Sequence, residues 1–144
     1  MQITRQADYA VRAVLYLAQR EPGARASTSR IAQEQRIPAT FLAKIVSQLA
    51  AAGIVRAVRG ARGGVTLARP PENISLLEIV EAIDGPVALN TCTDDAALCP
   101  MGSTCVVRDV WCEAQADLVK RLNETKFGQL VKTDKPLVSA HLQP

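Results

Sequence analysis

Three absences narrow this 144-residue sequence. It has no uninterrupted apolar stretch long enough for a secretion signal or a membrane span, no histidine except His141, and no cysteine outside positions 92–112. Charges break up the opening "MQITRQADYAVRAVLYLAQR", so the sequence predicts a cytoplasmic protein with no membrane partner. An isolated His141 leaves the thiols without a base, and no cofactor loop is recognisable, so an enzyme is not expected. Disulfides seldom persist in a reducing compartment, and clustered cysteines there more often bind metal or do redox chemistry.

Acidic residues are also scarce in the front half. Residues 1–70 hold 11 Lys and Arg against 3 Asp and Glu, a balance of +8, whereas residues 71–144 hold 6 against 11, a balance of −5. The net charge of +3 conceals this split, and only the front half suits a polyanion. At 48% hydrophobic content the chain can build one compact domain, or a small domain with a helical arm.

Periodicity places the basic residues on a recognisable frame. Val11, Val14, Leu15 and Ala18 predict a helix over about 6–19. The Ser-Thr-Ser run at 27–29 offers caps to a short helix holding Ile31 and Ala32, which Pro38 interrupts. Leu42, Ile45, Val46 and Leu49 predict a second helix over about 39–52, with Thr40, Ala43, Lys44, Ser47 and Gln48 on its free side and Gly53 closing it. Two short helices around a sharp turn describe a helix-turn-helix. In "IVRAVRGARGGVTLARP", Val55–Val58 and Val65–Leu67 bracket a glycine-rich turn as a hairpin would, so it reads as a wing. Because these glycines lead into a strand and not into a helix N-terminus, a phosphate-binding loop is not expected.

The expected fold is mainly α with a small β wing: a winged helix-turn-helix over 1–70, a connecting helix within 71–90, a cysteine loop at 91–104, a long dimerisation helix at 105–131 and a tail at 132–144. Along the long helix Val107, Trp111, Ala114, Leu118 and Leu122 form a narrow apolar stripe suited to a helix–helix seam. The predicted partners are a homodimeric second copy and a double-stranded, roughly palindromic DNA operator. Candidate DNA-binding residues are Thr28, Ala39, Thr40 and Lys44 on the two helices, with Arg59, Gly60, Arg62, Gly63 and Gly64 at the wing tip. The helix residues would enter the major groove, while the arginines would reach the minor groove or phosphates.

Cys92, Cys99, Cys105 and Cys112 do not follow the two-residue spacing of a zinc knuckle or a thioredoxin motif. Their wider spacing lets a loop wrap something larger than one ion and fits an iron–sulfur cluster. If Cys105 and Cys112 share a helix they stand roughly 10.5 Å apart along its axis, too far for one small cluster. Cys112 therefore reads as a neighbouring or free thiol. Reversible disulfides among the four, in a cluster-free thiol switch, are the alternative.

The start "ITRQADYAVRAVLYLA", the segment "IAQEQRIPATFLAKIVSQLAAAGIVRAVRGARGGVTLARP" and the "C…CP…C" pattern resemble the Rrf-type family of bacterial winged-helix iron–sulfur regulators over about residues 1–131. That family includes IscR-, NsrR- and RirA-like proteins. The resemblance implies a homodimeric transcription regulator, by expectation a repressor, whose cluster is held by Cys92, Cys99 and Cys105. Four irons are favoured and two are possible. The signal it implies is nitric oxide, redox state or iron status. In the cluster-assembly branch a histidine follows the third cysteine by three residues, where this sequence has Arg108. In the nitric-oxide branch an aspartate comes from the partner's first helix, and Asp8 occupies the matching place. The ligand pattern is therefore most similar to the nitric-oxide branch, although the first cysteine spacing is one residue longer than is common there.

Overall fold

The computed structural model describes residues 1–133; most of the tail, including His141, lies outside the described residues. Among the described residues, seven α-helices and one hairpin follow in order: α1 (Arg5–Ala18), α2 (Thr28–Gln35), α3 (Ala39–Ala51), β1 (Val55–Val58), β2 (Gly64–Leu67), α4 (Leu76–Asp84), α5 (Thr91–Asp94), α6 (Val106–Glu124) and α7 (Phe127–Leu130). The mainly α architecture with a two-stranded wing is the expected one.

Each front helix is set by a local signal. The Thr4 side chain accepts from the Ala7 N–H at the start of α1, and the Asp84 carboxylate accepts from both the Thr4 N–H and its hydroxyl. α1 buries Ala7, Ala10, Val14 and Leu17, one face at helical spacing. Ser27 caps α2 by accepting from the Arg30 N–H. Arg36 then turns the chain in the left-handed region, at φ 53°. It lets the Ile37 N–H donate back to Ala32 at 2.9 Å before Pro38 opens α3. α3 buries Leu42, Ile45, Val46 and Leu49, the four apolar positions its period marks out.

The wing pairs β1 and β2 antiparallel, from Val55 opposite Leu67 to Val58 opposite Gly64. A third element joins it. Ala26, in a stretch that reads as loop from sequence, exchanges both backbone hydrogen bonds with Val65, at 3.0 and 2.8 Å. The wing is thus stitched to the chain just before the helix-turn-helix.

One interior serves both halves of the chain. Ile31, Leu42, Ile45, Leu49, Ile54 and Val65 share a cluster with Ile74 and Ile79 from the α4 region and with Phe127 from α7. A short backbone strap carries Phe127 there, because the Leu76 N–H donates to Thr125 at 2.9 Å and the Phe127 N–H to Ile74 at 3.0 Å. Ser75, wholly buried, caps α4 in a reciprocal box with Glu78. Burial pushes the Glu78 carboxyl upward, but the Ser75 N–H and the Arg69 guanidinium outweigh that and hold it below its ordinary value.

α6 buries no residue completely. Its half-buried positions, Arg108, Cys112, Gln115, Leu118, Val119 and Leu122, form the face turned to the chain. Val106, Val107, Val110 and Trp111 lie exposed, Val106 at 81%. Of the apolar stripe marked out by sequence, Val107, Trp111 and Ala114 are exposed while Leu118 and Leu122 are half-buried.

Phe127 is fully buried. Phe127→Ala should cost about 3–5 kcal/mol of unfolding free energy, measured by urea denaturation. A loss below about 1 kcal/mol would show that the strap is not part of the cooperative core.

Candidate functional site

α3 presents Ala39, Thr40 and Lys44 to solvent on the side opposite its buried face, and Thr28 is exposed as the first residue of α2. This arrangement sets small polar groups and one cation on the exposed surface of a helix whose other face fixes it to the core. Phe41, 42% exposed, sits edge-on to Tyr9 of α1 with ring centroids 6.2 Å apart. The Arg12 guanidinium lies 4.8 Å from the Tyr9 ring centre and donates to the Gln35 carbonyl at 3.1 Å, so α1 braces the turn before α3.

The wing-tip glycines are demanded by the hairpin itself. A side chain on Gly63 would place its Cβ 2.1 Å from the Val58 carbonyl oxygen, and one on Gly64 would meet the Ala26 oxygen at 2.9 Å. Gly60 and Gly64 also hold positive φ, at 108° and 149°. The turn therefore folds tightly, with Arg59 and Arg62 exposed on either side of it. Among the described residues neither makes an ion pair. Arg30, by contrast, is committed to Glu34 at 2.8 Å, and the hydrogen bond from Arg30 holds the Glu34 carboxyl below its ordinary value. Arg25 donates to the Arg62 carbonyl at 3.2 Å and ties the tip to the segment before α2. Sequence reading missed Arg25, since no local pattern links residues so far apart in the chain.

All four cysteines are free. Cys92 is buried on α5, Cys105 is the residue preceding α6, and Cys99 lies between short 3-10 turns at Ala96–Leu98 and Gly102–Thr104. The expected irregular loop is thus a series of short turns with caps of its own. Asn90 and Thr93 form a reciprocal capping box, and the Asp95 carboxylate accepts from the Ala97 N–H at 2.9 Å. Leu98 and Met101 are exposed at 63% and 61%, so the segment buries little beyond Cys92. Cys112 is half-buried on the inner face of α6, one turn beyond Arg108.

Three free thiols on one segment supply the donor type that an iron–sulfur cluster takes. As the segment is folded, no three Cys, His, Asp or Glu side chains among the described residues stand close enough to share a metal. The donors fit the group in kind, and their convergence requires the turns to reorganise. Asp8 lies apart from them, 58% exposed on α1 and paired with Arg12 at 2.8 Å. This is the ordinary i, i+4 ion pair that its spacing allows. Among the described residues, no helix is long and apolar enough to cross a membrane.

Comparison with known proteins agrees with this frame. The family Rrf2, described as an iron-dependent transcriptional regulator, matches residues 3–133. A transcriptional regulator from Listeria innocua is similar at 28% identity with a TM-score of 0.77, over 99% of this chain and 95% of that one. T. potens IscR is similar at 25% identity and TM-score 0.72, over 92% and 87% of the two chains. Staphylococcus aureus CymR in its oxidized form is similar at 25% identity and TM-score 0.74, over 94% and 100%.

The tight wing tip makes one position decisive. Gly63→Ala forces the turn apart at the Val58 carbonyl, so the amide protons of β1 and β2 should exchange with solvent at least about tenfold faster while those of α3 are unchanged. Unaltered exchange in the hairpin would overturn this geometry.

Proposed function

Because the chain belongs to the Rrf2 family of DNA-binding transcriptional regulators, we propose that it is a homodimeric repressor whose cysteine segment holds an iron–sulfur cluster and adjusts operator affinity. The observation that carries this reading is the character of residues 92–105: three free thiols on an exposed segment that buries only Cys92 and leads straight into the apolar face of α6. A segment with so little packing of its own takes its final shape from what it binds.

In this reading Thr40 and Lys44, with Thr28 and Ala39 beside them, enter the major groove. Arg59 and Arg62 reach the minor groove or phosphates, and Gly60, Gly63 and Gly64 keep the wing tip narrow enough to approach them. The exposed Val106, Val107, Val110 and Trp111 face seats the second copy. Cys92, Cys99 and Cys105 are the thiolate ligands, and Asp8, exposed on α1, is offered to the partner's cluster. The cluster supplies reactivity toward nitric oxide, oxygen or iron status; the chain's own residues supply the thiolates, the DNA contacts and the connection between them. A cluster-free thiol switch is favoured by the likeness to CymR in its oxidized form.

Anaerobic purification followed by iron and acid-labile sulfide analysis tests the reading. Cys92→Ala, Cys99→Ala and Cys105→Ala should each lose most of the iron and sulfide of the parent, and Cys112→Ala should lose none. A parent chain without iron or sulfide would overturn it in favour of the thiol switch, and full occupancy in the first three variants would overturn the ligand assignment.

A further inference from the structure

The cysteine segment touches the rest of the molecule in an uneven way. Its own hydrogen bonds are local: Asn90 with Thr93, Asp95 with Ala97, Cys99 with Ala96, Gly102 with Cys99, Thr104 with Met101. Among the described residues, one side-chain hydrogen bond joins residues 91–104 to a long helix. The Nε–H of Arg108 donates to the Cys92 carbonyl at 3.3 Å, part-buried. Just before the segment, the Leu89 N–H donates to the Gln115 side chain at 2.9 Å, on the same face of α6.

Arg108 stands three residues after Cys105, in the first turn of α6. Its guanidinium therefore pins the segment's first cysteine to the helix that begins immediately after its last one. We infer that Arg108 is a positioning residue that closes the base of the cysteine segment, limiting how far Cys92 strays from the start of α6 so that its thiol and that of Cys105 can engage one group when the turns reorganise. The inference rests on the cysteine segment being the sensing site, as proposed above, and adds a residue that binds no group itself.

The physical reason is loop closure. Without the Arg108 contact, the two ends of the segment are joined through the chain, the Leu89–Gln115 hydrogen bond and the packing of α5 on α6, and the span of positions open to Cys92 widens. A part-buried charge-assisted hydrogen bond of this kind restricts that span by about three- to tenfold in effective concentration. Arginine suits the place because the planar guanidinium, fixed on a helix, needs little further ordering to reach a carbonyl. Lysine keeps the charge and a donor but not the fixed fork.

The test needs a readout that exists without any cluster. In the full-length chain carrying Cys99→Ala and Cys112→Ala, a short bifunctional thiol reagent such as dibromobimane should bridge Cys92 and Cys105. Adding Arg108→Ala should slow that bridging about three- to tenfold, with the rate of single-thiol alkylation and the melting temperature unchanged. Arg108→Lys should recover part of the rate. In the chain with all its cysteines, reconstituted with iron and sulfide, Arg108→Ala should speed iron loss to a chelator by a similar factor. Bridging at the parent rate in Arg108→Ala would overturn the inference, as would slowing matched by an equal fall in single-thiol alkylation. If the parent takes up no iron, the cluster reading fails, while the bridging rates still decide the role of Arg108.

Discussion

What holds α3 still is an interior assembled from both ends of the chain. Leu42, Ile45 and Leu49 of α3 lie in the same cluster as Val14 of α1, Ile79 of α4 and Phe127 of α7. Phe127 arrives through backbone bonds between Ile74–Leu76 and Thr125–Phe127. The buried face of α3 and the short helix that follows α6 thus share one set of packed side chains. Close-packed interiors transmit small displacements because they have little free volume to absorb them.

Electrostatics divides the same molecule differently. The excess of positive charge lies in residues 1–70, and the structure sorts those cations by availability. Arg12, Arg30 and Arg69 are spent on Asp8, Glu34 and Glu78. Arg59, Arg62 and Lys44 stay exposed on the wing tip and α3. Glycines that look like a device for approaching a duplex are required first by the hairpin, since Gly63 and Gly64 lie against Val58 and Ala26. The same tightness brings the two wing arginines together on a narrow tip, and Arg25 steadies it by donating to the Arg62 carbonyl.

Features with a repeating signal were readable in the sequence. The buried faces of α1 and α3 follow a 3.6-residue period, Ser27 and Ser75 announce α2 and α4, and the glycine turn between two short apolar runs marks the wing. The Asp8–Arg12 pair follows from i, i+4 spacing alone. Features made by single distant contacts were not readable. The Ala26–Val65 bridge joins one residue outside any strand to β2 and has no period, and the Ile74–Phe127 strap joins stretches of no particular pattern. The left-handed turn at Arg36 carries no glycine to give it away. Cysteine spacing indicated a shared site; the fold keeps the three thiols on one segment without drawing them together, because local caps at Asn90 and Asp95 set its shape.

The central claim is that the state of this thiol segment sets the grip of a winged helix built earlier in the chain. Its most direct measurement is anaerobic fluorescence anisotropy on a duplex selected from random sequence by its binding to the chain, titrated with the iron-loaded chain and with the same preparation after chelation under reducing conditions. The account predicts a difference in affinity of at least about tenfold, equivalent to about 1.4 kcal/mol of coupling. Equal affinities, with iron present in one preparation and absent from the other, would contradict it.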